Sequence, residues 1–407
     1  MRWGTIIPLI GGSAIGCHQS SGELPIFHLS YKAFSKNEKH LEEYWPDVPM
    51  YRLDEEDIEV PSFNNIDYVN STCPCAGLST LNSARGTKNA HGSDATQNQW
   101  MYKSSEYVLN EIQPKVLWGE NAPGLYTNMG EGVVNRLRDI GEEAGYSLSL
   151  YKTNTYLHGI PQKRLRTFYF FWKSKTVPLI NWIEKPNKPL FEYLDEVPKN
   201  STLQDMFLFE GKVTDAFKPY EFILEKEGLS HSEFVKKIKR GTVSRYLDKQ
   251  GWVDECIRWL YDKYPDEKFG NKKFIDILKH QKDKLDQDKN YWDLSPHFFY
   301  DKYSALVGRN LLNGVHPIEN RYLNIREMLH LMGMPHDFEI TSKSKFNHIA
   351  QNVPVGTAKD LANEVNKFCL GEAKMTNYVF LKQNNIKKEI SFSENERKRK
   401  HRTQSLI

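Results

Sequence analysis

Short apolar runs alternate with amphipathic stretches from residue 5 to residue 175. "TIIPLI", "IFHLSY", "IDYVNS", "KVLWGEN", "YSLSLYKTN" and "RTFYFFWK" are rich in β-branched and aromatic residues and read as strands. "SSEYVLNEIQ" and "GEGVVNRLRDIGEEAG" repeat their apolar residues at helical spacing, the second stopping at a glycine. Strand, helix and strand in alternation predict an α/β fold, a doubly wound, mainly parallel sheet with helices on both faces. Ligands of such a sheet bind at the carboxyl ends of its strands. The rhythm changes after 175. "SKTVPLINWIEKPNKPLFEYLDEVPKN" is proline-punctuated and loop-like, and residues 220–290 are charged and helical in pattern. "RYLNIREMLHLMGMP" and "PVGTAKDLANEVNKFCL" restore compact amphipathic helices, and the polar, basic end "SENERKRKHRTQSLI" is expected to be disordered.

Bulk composition narrows the class. A chain of 407 residues with 39% hydrophobic and 26% charged content is a soluble globular protein of two or three domains. A formal charge of +3 neither demands nor opposes a nucleic-acid partner. Five cysteines (Cys17, Cys73, Cys75, Cys256, Cys369) are too few and too odd for a disulfide framework and suit a reducing compartment. No run of about 18 apolar residues predicts a membrane span. The glycine-broken start "MRWGTIIPLIGGSAIG" reads as a strand and turn, not a secretory signal, so a cytoplasmic protein is expected.

Three stretches carry residue types with chemistry. Gly11, Gly12 and Gly16 follow the first strand, where glycines either let a nucleotide-like ligand approach or make a plain tight turn. "CPCAGLS" holds Cys73 and Cys75 around Pro74. A zinc site there would need two further ligands, and no second pair stands at ligand spacing, so no metal is expected. Inert core cysteine and strand-end nucleophile remain as readings. The small polar loop that follows is of the kind that closes over a substrate. Glu120-Asn121 ends another strand, as a turn residue and cap or as a general acid. Gln162, Arg164 and Arg166 alternate, which on a strand puts them on one face, an anion anchor or an exposed edge.

Taken in order, these pieces resemble the DNA cytosine-5 methyltransferase family of bacterial or phage type. "STCPCAGLS" is similar to the family's Pro-Cys nucleophile motif, with Pro74, Cys75 and Ser79; "GEN" to its Glu-Asn-Val motif; "QKRLR" to Gln-x-Arg-x-Arg. "RYLNIREMLHLMGMPHDF" is similar to Arg-x-Leu-Thr-x-Arg-Glu, with Arg321, Arg326 and Glu327, and "IAQNVPVGTAKDLANEV" to the closing motif that returns to the cofactor pocket. The resemblance implies a cytosine rotated out of duplex DNA. Cys75 would attack carbon 6 and Glu120 would stabilise the ring, before methyl transfer from S-adenosylmethionine to carbon 5. Arg166 would contact the base or a phosphate, Arg164 would orient Glu120, and arginine beside Cys75 would lower its thiol pKa.

The resemblance places the cofactor on Gly11, Gly12, Ser13, Ala14, Ile15, Asp57 (or Asp54), Ile58, Pro74, Gln351, Asn352 and Val353, with Asn37 or Glu38 replacing the ribose-binding acid. The family's Asp-Leu-Phe start is "TIIPL" here, so its aromatic contact is lacking, and the closing motif reads Ala350-Gln351-Asn352-Val353-Pro354. These departures admit a modified S-adenosylmethionine as donor. DNA would meet Ser79, Arg85, Asn121, Gln162 and Arg321. It would also meet Lys236, Lys237, Lys239 and Arg240 of "KKIKRGTVSR", which has five basic and no acidic residues. The expected layout is a catalytic domain over 1–175, a separate helix-rich target-recognition domain over 176–320, a return over 321–370 and an extension over 371–407, in a monomer. A tRNA cytosine-5 methyltransferase and a catalytically inactive DNA-binding homologue are the rival readings.

Overall fold

A computed structural model describes residues 1–56, 59–79, 91–198, 210–265, 268–269, 272–287, 296–306, 313–340 and 345–391. The chain forms two compact units, Met1–Asn187 with Met332–Ile407, and Lys188–Leu331.

The first unit is built on a nine-stranded sheet. In chain order its strands are β1 (Trp3–Ile6), β2 (His28–Ser30), β3 (Met50–Arg52), β4 (Tyr68–Ser71), β5 (Val116–Asn121), β6 (Ser147–Asn154), β7 (Leu165–Trp172), β8 (Phe380–Asn384) and β9 (Glu389–Ser391). They lie side by side as β9-β8-β6-β7-β5-β4-β1-β2-β3. Neighbours from β3 through β5, and the pair β6–β8, run parallel. β7 enters antiparallel between β5 and β6, and β9 closes an antiparallel edge hairpin with β8. The sheet is therefore mixed and mostly parallel, with helices packed along it, in line with the α/β reading. Strands β3, β8 and β9 were not anticipated, being short or half-polar.

Burial explains the strand composition. Every residue of β1, β4 and β5 is buried, as both faces of an inner strand are covered, and the polar residues Asn70, Ser71, Glu120 and Asn121 are buried at the carboxyl ends of β4 and β5. In β7 the aromatic run packs as a ladder. Phe170 stacks on Trp118 at 5.8 Å and on Trp172 at 5.3 Å, and the Trp172 indole N–H donates to Ser149 Oγ at 2.8 Å.

The first strand ends earlier than "TIIPLI" suggests. Ile7 (φ 52) and Leu9 (φ 54) adopt left-handed backbone ahead of Gly11 (φ 91), which turns the chain into the helix Gly12–Ser21. Such values are costly for residues with a Cβ, most of all for β-branched Ile7, so packing must impose the turn. Helices Ser35–Tyr44, Gln99–Tyr107, Glu131–Glu143, Lys345–Gln351 and Val355–Cys369 also belong to this unit. The stretch "SSEYVLNEIQ" lies inside a longer helical segment that opens at Gln99 and ends as a π-turn over Val108–Ile112.

The second unit gathers the helices His231–Ile238, Val243–Gln250 and Val253–Lys263, the C-terminal part of Glu210–Glu227, and the strand pair Arg240–Thr242 with His297–Phe299. Its own core includes Tyr220, Phe234, Leu247, Leu260 and Phe298. Among the described residues no helix is long and apolar enough to cross a membrane.

Gly16 shows how closely helix Gly12–Ser21 meets helix Val355–Cys369. A Cβ on Gly16 would fall 2.6 Å from Ala358 Cβ and 2.7 Å from the Val355 carbonyl. Gly16→Ala is expected to cost about 1–3 kcal/mol by overpacking. Thermal unfolding should show the midpoint lowered by several degrees, and an unchanged midpoint would mean the helices part freely.

Candidate active site

Three strand ends converge. After β4 the chain passes buried Thr72 and Cys73, then Pro74, and turns at Cys75 into the short 3-10 turn Ala76–Leu78. Gly77 permits that turn, since a Cβ there would lie 2.6 Å from Ala95 Cβ and 2.8 Å from Asn98 Oδ1. The two cysteines differ in setting: Cys73 is buried with Sγ 3.2 Å from Ser71 Oγ, while Cys75 is partly open to solvent.

Glu120 closes β5, buried at 2% exposure, and forms an ion pair with Arg166. The antiparallel register makes this contact inevitable, because Glu120 faces Phe168 and Asn121 faces Thr167 across β5 and β7, leaving Arg166 at the same sheet edge. Arg166, not Arg164, is thus the partner of Glu120. Arg164, equally buried, donates from Nη2 to the carbonyls of Ala350 (2.7 Å) and Asn352 (2.8 Å). Burial, then the neighbouring Arg166 charge, pushes its pKa down to about 9. Gln162 is fully buried with Nε2 3.6 Å from Met332 Sδ. Asn121 accepts from the Ala122 N–H at 2.8 Å.

These charges converge on Cys75. Burial and the Glu120 carboxylate push its thiol above the ordinary value, against the pull of Arg166 and Arg164. The expected lowering by arginine is therefore outweighed: desolvation and a like charge disfavour the thiolate more than two cations favour it.

Beside them, Gly12 N donates to Asn352 Oδ1 at 2.9 Å, and a Cβ on Gly12 would strike the Val353 carbonyl at 2.2 Å. A Cβ on Gly11 would meet Leu41 Cδ1 at 2.5 Å. The glycine cluster thus serves close packing of the chain on itself on its Cα side. Ser13, Ala14 and Ile15 are buried in the helix, Pro74 and Ser79 are half-buried, and Val353 is buried. Asn37 Nδ2 donates to Gln351 Oε1 at 3.0 Å, so the helix Ser35–Tyr44 is tied to the same closing segment. Asp54 accepts from the Lys32 N–H at 2.8 Å. Asp57, Ile58 and Arg85 lie outside the described residues. Ser13 Oγ, Glu38 Oε2 and Thr72 Oγ1, buried polar atoms with no hydrogen-bond partner among the described residues, stand on the helix after β1, on the helix after β2, and just beyond β4. Such orphans fit a polar ligand at the carboxyl side of the sheet.

The sequence model of the family described as C-5 cytosine-specific DNA methylase matches residues 9–367. The chain belongs to this family. A Type II methyltransferase of Bacillus paralicheniformis, M.Bpa9945I, is 23% identical over 335 residues, 75% of this chain and 71% of that protein. M.NgoPII, a Type II methyltransferase of Neisseria gonorrhoeae, is 24% identical over 199 residues, 48% of this chain and 50% of that protein. Among solved structures, an E. coli protein described as a prophage-encoded DNA modification methyltransferase shares the fold. Its TM-score is 0.54 at 16% identity, covering 91% of this chain and all of that one. Membership makes the chain a DNA cytosine-5 methyltransferase, with S-adenosylmethionine as the family's implied methyl donor.

Two features of the methyltransferase escaped sequence reasoning. Trp100 packs with Tyr31 (4.9 Å) and Phe34 (5.0 Å) beyond β2, three aromatics brought together from two segments. Glu327 caps its own helix by accepting from Asn324 N at 2.9 Å, and also holds Arg321 at 2.6 and 3.0 Å. Arg321, which also pairs with Glu319 at 2.7 Å, is engaged within the chain. Of the basic run, Lys236, Lys239 and Arg240 are exposed, while Lys237 pairs with Glu227. Lys239 takes left-handed backbone (φ 57) where helix His231–Ile238 ends. No cluster of three or more metal-binding side chains occurs among the described residues.

Glu38 is fully buried and accepts from the Ser30 hydroxyl. Burial pushes its carboxyl up to about 8, opposed by Ser30 and Arg52 and assisted by Glu42. The folded protein therefore keeps a proton that the unfolded chain loses near the ordinary value of 4.5, and this contribution to stability fades as pH rises towards 8. Glu38→Gln, neutral throughout, should flatten the fall. Melting temperatures at about pH 5 and about pH 8.5 should differ less in the variant than in the wild type. Equal differences would place the proton elsewhere.

Proposed function

We propose that Cys75 is the nucleophile of this methyltransferase and that Glu120, held by Arg166, acts on the ring it attacks. The convergence of these side chains from three separate strand ends supports the reading. A cytosine inside the duplex is out of reach of groups buried this way, so the base is rotated out of the stack into the pocket. The Cys75 thiolate bonds to carbon 6, and the displaced electron pair makes carbon 5 nucleophilic. Glu120 accepts from the exocyclic amino group on one carboxyl oxygen and, protonated on the other, passes that proton to N3 as negative charge gathers there, while Arg166 fixes its carboxyl. S-adenosylmethionine, when bound, supplies an electrophilic methyl group on its sulfonium sulfur. Once carbon 5 is substituted, its proton passes to a water molecule, the freed electron pair restores the carbon 5–carbon 6 double bond as Cys75 departs as the thiolate, and N3 returns its proton to Glu120.

The residues fitted to hold that donor are the first turn of helix Gly12–Ser21 with Ser13, the Ser30–Glu38 pair, and Gln351, Asn352 and Val353. Trp100 with Tyr31 and Phe34 offers aromatic surface to its adenine. The second unit serves target recognition, with Lys236, Lys239 and Arg240 meeting phosphates.

The decisive assay supplies S-adenosylmethionine and duplex DNA from a host lacking cytosine methylation, then weighs the nucleosides after digestion. One methyl on deoxycytidine is expected. Methyl on tRNA alone favours the RNA-acting reading, DNA binding without transfer favours an inactive homologue, and a larger mass gain means a modified donor. In 5-fluorocytosine DNA, Cys75→Ser should lose covalent trapping by at least about a thousandfold, as removal of a nucleophile does, while Cys73→Ser should keep it. The raised Cys75 thiol predicts that wild-type trapping quickens as pH rises through the thiol range. Trapping that survives Cys75→Ser sinks the assignment.

A further inference from the structure

Arg164 carries more than its two bonds to the closing segment require. Its Nη2 is satisfied by the carbonyls of Ala350 and Asn352. Its Nε and Nη1 are buried and have no partner among the described residues, although the side chain is only 1% exposed. An unmet buried donor costs on the order of 1–3 kcal/mol, more on a charged group. A guanidinium does not shed that cost by deprotonating. Arg164 stands two residues before Arg166, the ion-pair partner of Glu120, and its charge also acts on Glu120 and Cys75. On its other side, the segment it grips reaches the first turn of helix Gly12–Ser21 through Asn352 and Gly12, and the helix Ser35–Tyr44 through Gln351 and Asn37.

We infer that Arg164 is a positioning residue that couples the base pocket to the cofactor-side segment 350–353, so that nucleic acid and cofactor tighten each other's binding. This rests on the function proposed above. The unmet edge of the guanidinium takes an acceptor oxygen of the bound nucleotide, and that second contact holds Nη2 on the two carbonyls. A cofactor ordering 350–353 steadies the same guanidinium from the opposite side. Each ligand then lowers the ordering cost of the other, a reciprocal coupling of the usual size of about 5- to 150-fold.

The test measures S-adenosylhomocysteine binding to the full chain by calorimetry, with and without plasmid duplex DNA. Wild type should bind at least about fivefold tighter with DNA present. Arg164→Lys keeps a cation that reaches the carbonyls but lacks the second edge. It should hold S-adenosylhomocysteine within about threefold of wild type while the DNA effect drops to about one. Arg164→Met should weaken S-adenosylhomocysteine binding even without DNA. An intact coupling factor in Arg164→Lys, whose fold is checked by circular dichroism, overturns the inference, as does wild type that binds both ligands independently. Wild type that binds no S-adenosylhomocysteine at all overturns the functional reading along with it.

Discussion

β7 runs antiparallel between β5 and β6, and through that one insertion the candidate site acquires its charges. A parallel strand there would bring its carboxyl end to Glu120; the antiparallel one brings its amino end, where Arg164 and Arg166 stand. Glu120 is too deeply buried to remain a lone carboxylate, since desolvation of an unpaired charge costs several kcal/mol. Arg166 answers that cost with an ion pair. The aromatic ladder of Trp118, Phe170 and Trp172 holds the register that makes the pairing repeatable.

Around this pair the structure sets desolvation against charge. Cys75 sits where two guanidiniums favour its thiolate, yet burial and Glu120 oppose them and prevail in the protein without its ligands.

The first helical turn and the closing segment 350–354 depart most from the family pattern, and they pack tightly against each other. Gly12 and Gly16 let helix Gly12–Ser21 lie against the closing segment and the helix that follows it, and Asn352 bonds Gly12 directly. Trp100, Tyr31 and Phe34 gather beyond β2, drawn from two separate segments. The left-handed turn at Ile7 and Leu9 is strain that only this close packing can sustain.

By itself the sequence determined the inner strands, because β1, β4, β5, β6 and β7 lie in short runs rich in β-branched, aromatic and other apolar residues that no helix pattern competes for. It also determined the family, since its motif residues keep their order whatever lies between them. It could not reveal β3, β8 and β9, which are short or half-polar and exist only through pairing with a neighbour. Nor could alternation along "QKRLR" say which arginine takes Glu120 and which takes the Ala350 and Asn352 carbonyls. Those partners lie 46 and nearly 190 residues away along the chain, and strand register and segment closure alone bring them together. The same holds for Arg321, whose pairing with Glu319 and Glu327 shows only in the fold. Residue chemistry is local and survives in the sequence; the choice of partner is a tertiary event, decided by which buried charges the fold forces into contact.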